Sequence, residues 1–196
     1  MDLTVLLEPK VDLRRIARVL DELGPSGRLD TIRGWEVGQL AGLYDAAAGF
    51  KGLRLDDFVP SSVGAMTQVI HHGRSSQPAF NHFQKRFCRP SQLDGAHEEL
   101  WGYTQQDFLV WTGPGYFVAR VGETAGEIAL DHGRIPLGKP EAWPELLPSS
   151  ARLGRYVYEG HVDVMRGISR HVTIGRTQRQ AKWMNTWFLL CREDLS

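Results

Sequence analysis

Histidine and arginine gather in two stretches of this chain that contain no acidic residue. Phe58 to Leu93 carries Arg74, Lys85, Arg86 and Arg89; Val164 to Arg192 carries Arg166, Arg170, Arg176, Arg179, Lys182 and Arg192. Those ten cations leave 13 basic and 23 acidic groups to the other 131 residues, so a chain of zero formal charge has separated its charge along its length. Five of the seven histidines (His71, His72, His82, His161, His171) lie in or beside the two runs. Brought together by the fold, such segments build a positive field able to hold an anion. Guanidinium forks match carboxylates and phosphates. Arginine outnumbers lysine 18 to 5. A GC-rich genome accounts for that ratio, but not for the missing acids.

Aromatic residues crowd the same half of the chain, and a ligand pocket needs an apolar lining with a few convergent polar groups. The combination points to a binding site for a small amphipathic or aromatic molecule bearing a carboxylate or phosphate. Arg86, Arg170 and Arg176 are the candidates for its charge, His82 and His171 for hydrogen bonds, and Trp101, Tyr103 and Trp183 for its apolar part. Two alternatives use the same residues differently. An enzyme on this scaffold would take His82, His132 or His171 as a general base near neutral pH. A protein-interaction module would instead show a solid aromatic core and an exposed apolar patch.

Other chemistries find less support. His71-His72 with His82 lacks the spacing of a zinc site, and no carboxylate lies in that segment, so no metal is expected. His171-Val172-Thr173 has the His-x-Thr form of two-histidine phosphoesterases, but its best partner, His161-Val162-Asp163, replaces the hydroxyl by a carboxylate. Neither Cys88 nor Cys191 sits in a nucleophile motif. No Walker loop or dinucleotide fingerprint occurs, and no cofactor is expected. A pI near 7.1 argues against a dedicated nucleic-acid partner.

The elements that must position these groups are of two kinds. Up to about residue 57 the periodicity is helical. Asp12 caps a helix carrying Leu13, Ile16, Val19, Leu20 and Leu23, stopped at Gly24-Pro25; a second fits Asp30 to Ala48. From residue 80 strands dominate: Phe83 to Arg89, Leu100 to Thr104, Phe108 to Thr112, Tyr116 to Val121, Glu127 to Asp131, Arg155 to Glu159, Val172 to Thr177 and Trp183 to Cys191. Phe80, Phe83 and Phe87 also fit helical spacing, but Pro90 favours the strand. The last strand is apolar on both faces. Trp183, Asn185, Trp187, Leu189 and Cys191 face one way, and Met184, Thr186, Phe188 and Leu190 the other, so one set can look into a barrel while the other meets the helices. The expectation is a single α+β domain over residues 1–196, with a curved antiparallel sheet or small β-barrel covered by N-terminal helices. Two cysteines, no apolar run near the ~20 residues of a membrane helix and no secretory leader point to the cytoplasm.

Phe83-Gln84-Lys85-Arg86-Phe87, Glu127-Ile128-Ala129-Leu130-Asp131, Tyr156-Val157-Tyr158-Glu159-Gly160 and Trp187-Phe188-Leu189-Leu190-Cys191-Arg192 follow one another over roughly 110 residues. In that order they resemble the strands of lipocalin-like small barrels of the GXWXG type. The Gly-x-Trp-x-Gly signature itself is absent; Leu100-Trp101-Gly102 lacks the first glycine. The resemblance implies a small, mostly apolar ligand inside a barrel and transfers no particular binding residue.

Overall fold

A computed structural model describes residues 6–7, 10–78, 81–91, 98–106, 113–147 and 160–194. Eight antiparallel strands follow one another around a closed barrel: β1 (Val69–Ser75), β2 (His82–Cys88), β3 (Leu100–Gln105), β4 (Tyr116–Val121), β5 (Ile128–Asp131), β6 (His161–Gly167), β7 (Val172–Arg179) and β8 (Lys182–Arg192). Each pairs with the next, and β8 returns to β1 through His71 to Ser75, so no sheet edge is left open. The expected α+β class with a small barrel and N-terminal helices is what forms. β1 and β6 were not anticipated, and the strands expected over Phe108 to Thr112 and Arg155 to Glu159 lie outside the described residues.

Among the described residues, four helices precede the barrel: α1 (Leu13–Glu22), α2 (Pro25–Gly34), α3 (Val37–Ala46) and the single turn α4 (Leu55–Phe58). The Asp12 carboxylate accepts the Arg15 amide at 3.1 Å and starts α1 as expected. The continuous helix expected over Asp30 to Ala48 is instead two. Pro25, read as a stop, occupies the first turn of α2, where its missing N–H costs nothing. Trp35 and Glu36 are extended, and Glu36 with Gln39 forms a capping box that opens α3.

Two cores result. Outside the barrel, Ile16, Leu20, Ile32, Leu40 and Leu43 of the helices pack on Val172, Ile174, Leu189 and Cys191 of β7 and β8. Inside, Val69, Phe87, Leu100, Phe117, Met165 and Leu190 fill one end, closed by Leu55 and Phe58 from α4 and by Val59 just after it. The two-faced reading of the last strand holds: Leu189 and Cys191 meet the helices, and Phe188 and Leu190 face the lumen.

Three glycines let the interior rings fit. Gly73, Gly102 and Gly175 stand directly across from Phe83, Phe117 and Phe188 on the adjacent strands. A Cβ at these glycines would fall 2.4, 2.4 and 2.5 Å from the Cζ atoms of those rings, closer than real contacts allow. Each ring therefore lies across its partner's bare backbone, an arrangement that also favours local strand curvature.

Candidate ligand-binding cavity

Strand parity decides which polar groups enter the lumen. On β2, Phe83, Lys85 and Phe87 point inward and Gln84 and Arg86 outward; on β6, Asp163 and Met165 point inward. At the end opposite α4 these inward residues surround a cavity of about 230 Å³. That is roughly the bulk volume of seven or eight water molecules. Phe83, Met184 and Phe188 give it apolar walls, and Thr186 and Gln77 hydrogen-bond to each other at 3.1 Å in its lining.

Lys85 and Asp163 meet across the lumen, Nζ to Oδ2 at 3.0 Å, with side chains only 5% and 7% exposed. Each has a threonine opposite it on the next strand. Thr104, paired with Lys85, accepts from Nζ at 3.3 Å, and Thr177, paired with Asp163, donates to Oδ1 at 2.7 Å. His132, just beyond β5, brings Nε2 to 3.2 Å from Lys85 Nζ and 3.3 Å from Asp163 Oδ2. The same nitrogen accepts from Lys85 in one tautomer and donates to Asp163 in the other, and it lies within reach of both. Lys85 Nζ is thus surrounded by Thr104, His132 and Asp163. It also lies over the rings of Phe117 and Phe188, 4.7 and 5.4 Å from their centroids.

The electrostatics follow from this packing. Burial alone would raise the Asp163 carboxyl, but the Lys85 charge first, then the His132 contact and the Thr177 hydroxyl, hold it far below the usual carboxylate range. Burial and then the Lys85 charge depress His132. Burial takes His161 down to about 4. Both rings are neutral at pH 7. His161 also lines the cavity, and its buried Nε2 has no hydrogen-bond partner. Arg179 lies at the rim. Among the described residues, the lining holds two cations and one carboxylate. Lys85, its Nζ hemmed in by Asp163, Thr104 and His132, is poorly suited to act as a nucleophile.

The two acid-free runs do converge, but as adjoining strands. The first supplies β1 and β2, the second β7 and β8, and the β1–β8 seam joins them. Alternation then sends most of their guanidinium groups outside. Arg166 there pairs with Glu127 at 2.6 Å; Arg89 and Arg192 instead reach α4 at the closed end, where Arg89 pairs with Asp56 at 2.5 Å and Arg192 donates to the Asp57 carbonyl.

None of the eight residues expected to bind ligand lines the barrel cavity. Trp101 and Tyr103 pack outside β3 with Tyr116, Val118 and Trp143. Arg176 sits against Trp183 and Trp187, 5.0 Å from each ring centroid, on the outer face. Arg170 and His171 lie in the β6–β7 turn, where Asp21 accepts the Arg170 amide and Asp194 lies 3.1 Å from the His171 ring. Arg86 and His82 are brought together, in a separate outer depression. The cavity instead uses Lys85, Thr104, His132, His161, Asp163 and Thr177. One signal could have found two of them. Lys85 is the lone lysine of the first acid-free run, and Asp163 is the acid immediately before the second.

No protein-family model, no curated protein and no solved structure matches the chain. The closed antiparallel barrel is compatible with the resemblance to lipocalin-like barrels in architecture. Among the described residues, no helix is long and apolar enough to cross a membrane.

Proposed function

We propose that this chain is a cytoplasmic binding domain for a small molecule with an apolar body and a polar or anionic head, held in the open end of the barrel. The observation that carries the reading is where the hollow lies. It ends on the buried Lys85–Asp163 pair, with apolar walls at Phe83, Met184 and Phe188. A charged pair removed from water is rarely the most stable filling for a lumen, and well-packed apolar residues often serve as well or better. Its presence beneath a cavity is the pattern of a site that orients a polar head. The His161 Nε2, in the tautomer that carries its proton there, can donate to that head, and Arg179 at the rim favours negative charge.

Alkyl and aryl carboxylates and phosphates, scored by melting temperature and tryptophan fluorescence, test this reading. Binding is expected in the wild type and lost in Thr186→Trp, which fills the cavity from β8. A flat response across the series, or unchanged binding in the filled variant, counts against it. The enzymatic alternative draws less from the geometry. His82 and His171 lie away from the cavity, and the His132 Nε2 is taken up by Lys85 and Asp163.

A further inference from the structure

A second hollow, of about 250 Å³, lies on the outer surface of β2 and beside α2. It adjoins the barrel mouth, since Phe83 and Gln106 line both. Arg33 from the last turn of α2, His72 from β1 and His82 and Arg86 from β2 face it, with the Gln84 and Gln105 amides between them. Its charge is one-sided. Arg86 directs Nε and Nη2 to the Gln84 amide oxygen at 3.1 and 2.8 Å and Nη1 to that of Gln68 at 3.4 Å, all neutral acceptors. Nearby Arg74 is likewise held by neutral groups, the Asn81 amide and the Ser75, Arg33 and Trp35 carbonyls. The carboxylate at the edge, Glu193, is 2.6 Å from the His72 ring. Burial, followed by the charges of Arg33 and Arg74, lowers the proton affinity of His82, as a positive environment requires.

We infer that this outer hollow is an oxyanion site, built for a phosphate-type group by the Arg33 and Arg86 guanidinium groups and the flanking glutamine amides. Arg86 suits that role because its fork is already oriented. Gln84 holds one edge, and the Tyr103 ring lies under the plane, 5.9 Å from centroid to Cζ. A guanidinium ordered by neutral partners keeps its charge for an incoming anion and loses little freedom on binding it. The site does not depend on the cavity reading. Their adjacency does predict that a ligand with an oxyanion on an apolar body spans both.

Titration of isotope-labelled protein with inorganic phosphate, followed by amide shifts, tests the site. Phosphate is expected to move the β2 amides between His82 and Arg86. The Arg33→Gln/Arg86→Gln variant should weaken binding by about ten-fold or more, and Arg86→Lys should fall between. Arg120→Gln, on the far strand β4, should leave it within about two-fold of wild type if the effect is local rather than one of net charge. Absent β2 shifts, an unchanged affinity in the double variant or an equal loss in Arg120→Gln would each overturn the assignment. Phenyl phosphate separates the two readings. Tighter binding than phosphate, reduced to the phosphate level by Thr186→Trp, supports both. Equal affinity with the β2 shifts intact shows that one ligand does not span the two hollows and leaves the oxyanion site standing.

Discussion

Lys85 and Asp163 join opposite walls of the barrel. They come from β2 and β6, four strands apart in a ring of eight, and close to 3.0 Å at the base of the cavity. The pair ties the two halves of the barrel together and forms the polar floor on which the proposed function rests.

Removing one charge of this pair strands the other in the lumen. Asp163→Asn or Lys85→Met should destabilise the fold by roughly 3–5 kcal/mol. The double variant Lys85→Met/Asp163→Leu should recover most of that loss, because no unpaired ion remains. Urea unfolding of the three variants and wild type gives the coupling directly. A double variant no better than the sum of the singles would show that the pair contributes little.

Acid should weaken the protein well before its carboxylates titrate. Burial lowers His71 to about 3 and His161 to about 4, below the 6.5 of an exposed imidazole. As pH falls below 6.5 the unfolded chain therefore takes up protons that the folded chain refuses, and stability drops until the folded values are reached. The fully buried His71 alone accounts for roughly 2–3 kcal/mol between pH 6.5 and 4.5. Asp163, depressed in the fold, adds its loss only below the ordinary carboxylate value. In His71→Leu the Phe58 carbonyl loses its 3.0 Å donor, lowering stability at pH 7. The same variant should show a flatter dependence between pH 7 and 4.5. Urea midpoints at those two pH values provide the check.

The glycine–phenylalanine contacts should differ in their tolerance. Gly102→Ala meets both the Phe117 ring and the Arg86 carbonyl, which at 2.7 Å is backbone of the adjacent strand. It should cost roughly 1–3 kcal/mol or more. In Gly73→Ala, the three atoms nearest the added Cβ all belong to the Phe83 ring, a flexible side chain at the cavity wall. That ring can swing into the hollow, so the variant should fold with less loss but bind cavity ligands more weakly. Thermal melts paired with the ligand series would show whether stability and binding separate in this way.

Both thiols should be silent in the native protein. Cys88 is buried and pushed up to about 12, and burial raises Cys191 as well. A thiol reagent at pH 8 should label both only in denaturant, at a rate that follows unfolding. Rapid labelling without denaturant would place at least one of them in an accessible pocket.

Local patterns made much of the architecture readable. Asp12 announces α1 because a cap is a contact made three residues away, and β8 shows its two apolar faces because alternation is built into any strand. The break between α2 and α3 was less visible, since Trp35 looks like one more member of a helical stripe until the Glu36–Gln39 capping box is seen. β1 and β6 were hidden by their polar residues: His71, His72, Arg74, His161 and Asp163 are unusual strand residues, and some of them are tolerated only because the closed lumen gives them partners.

The sequence by itself determined the class of the fold and the separation of charge, because composition, period and turn chemistry act over a few residues. Only the tertiary structure decided which charges meet. Arg86 and Lys85 are neighbours in the chain, yet strand parity sends one to the outer hollow and the other to the lumen. Asp163 reaches Lys85 across 78 residues of sequence because ring closure sets β6 opposite β2. The side a residue faces follows from pairing register, and the partner it finds there from the closure of the barrel, neither of which is a local property of the chain.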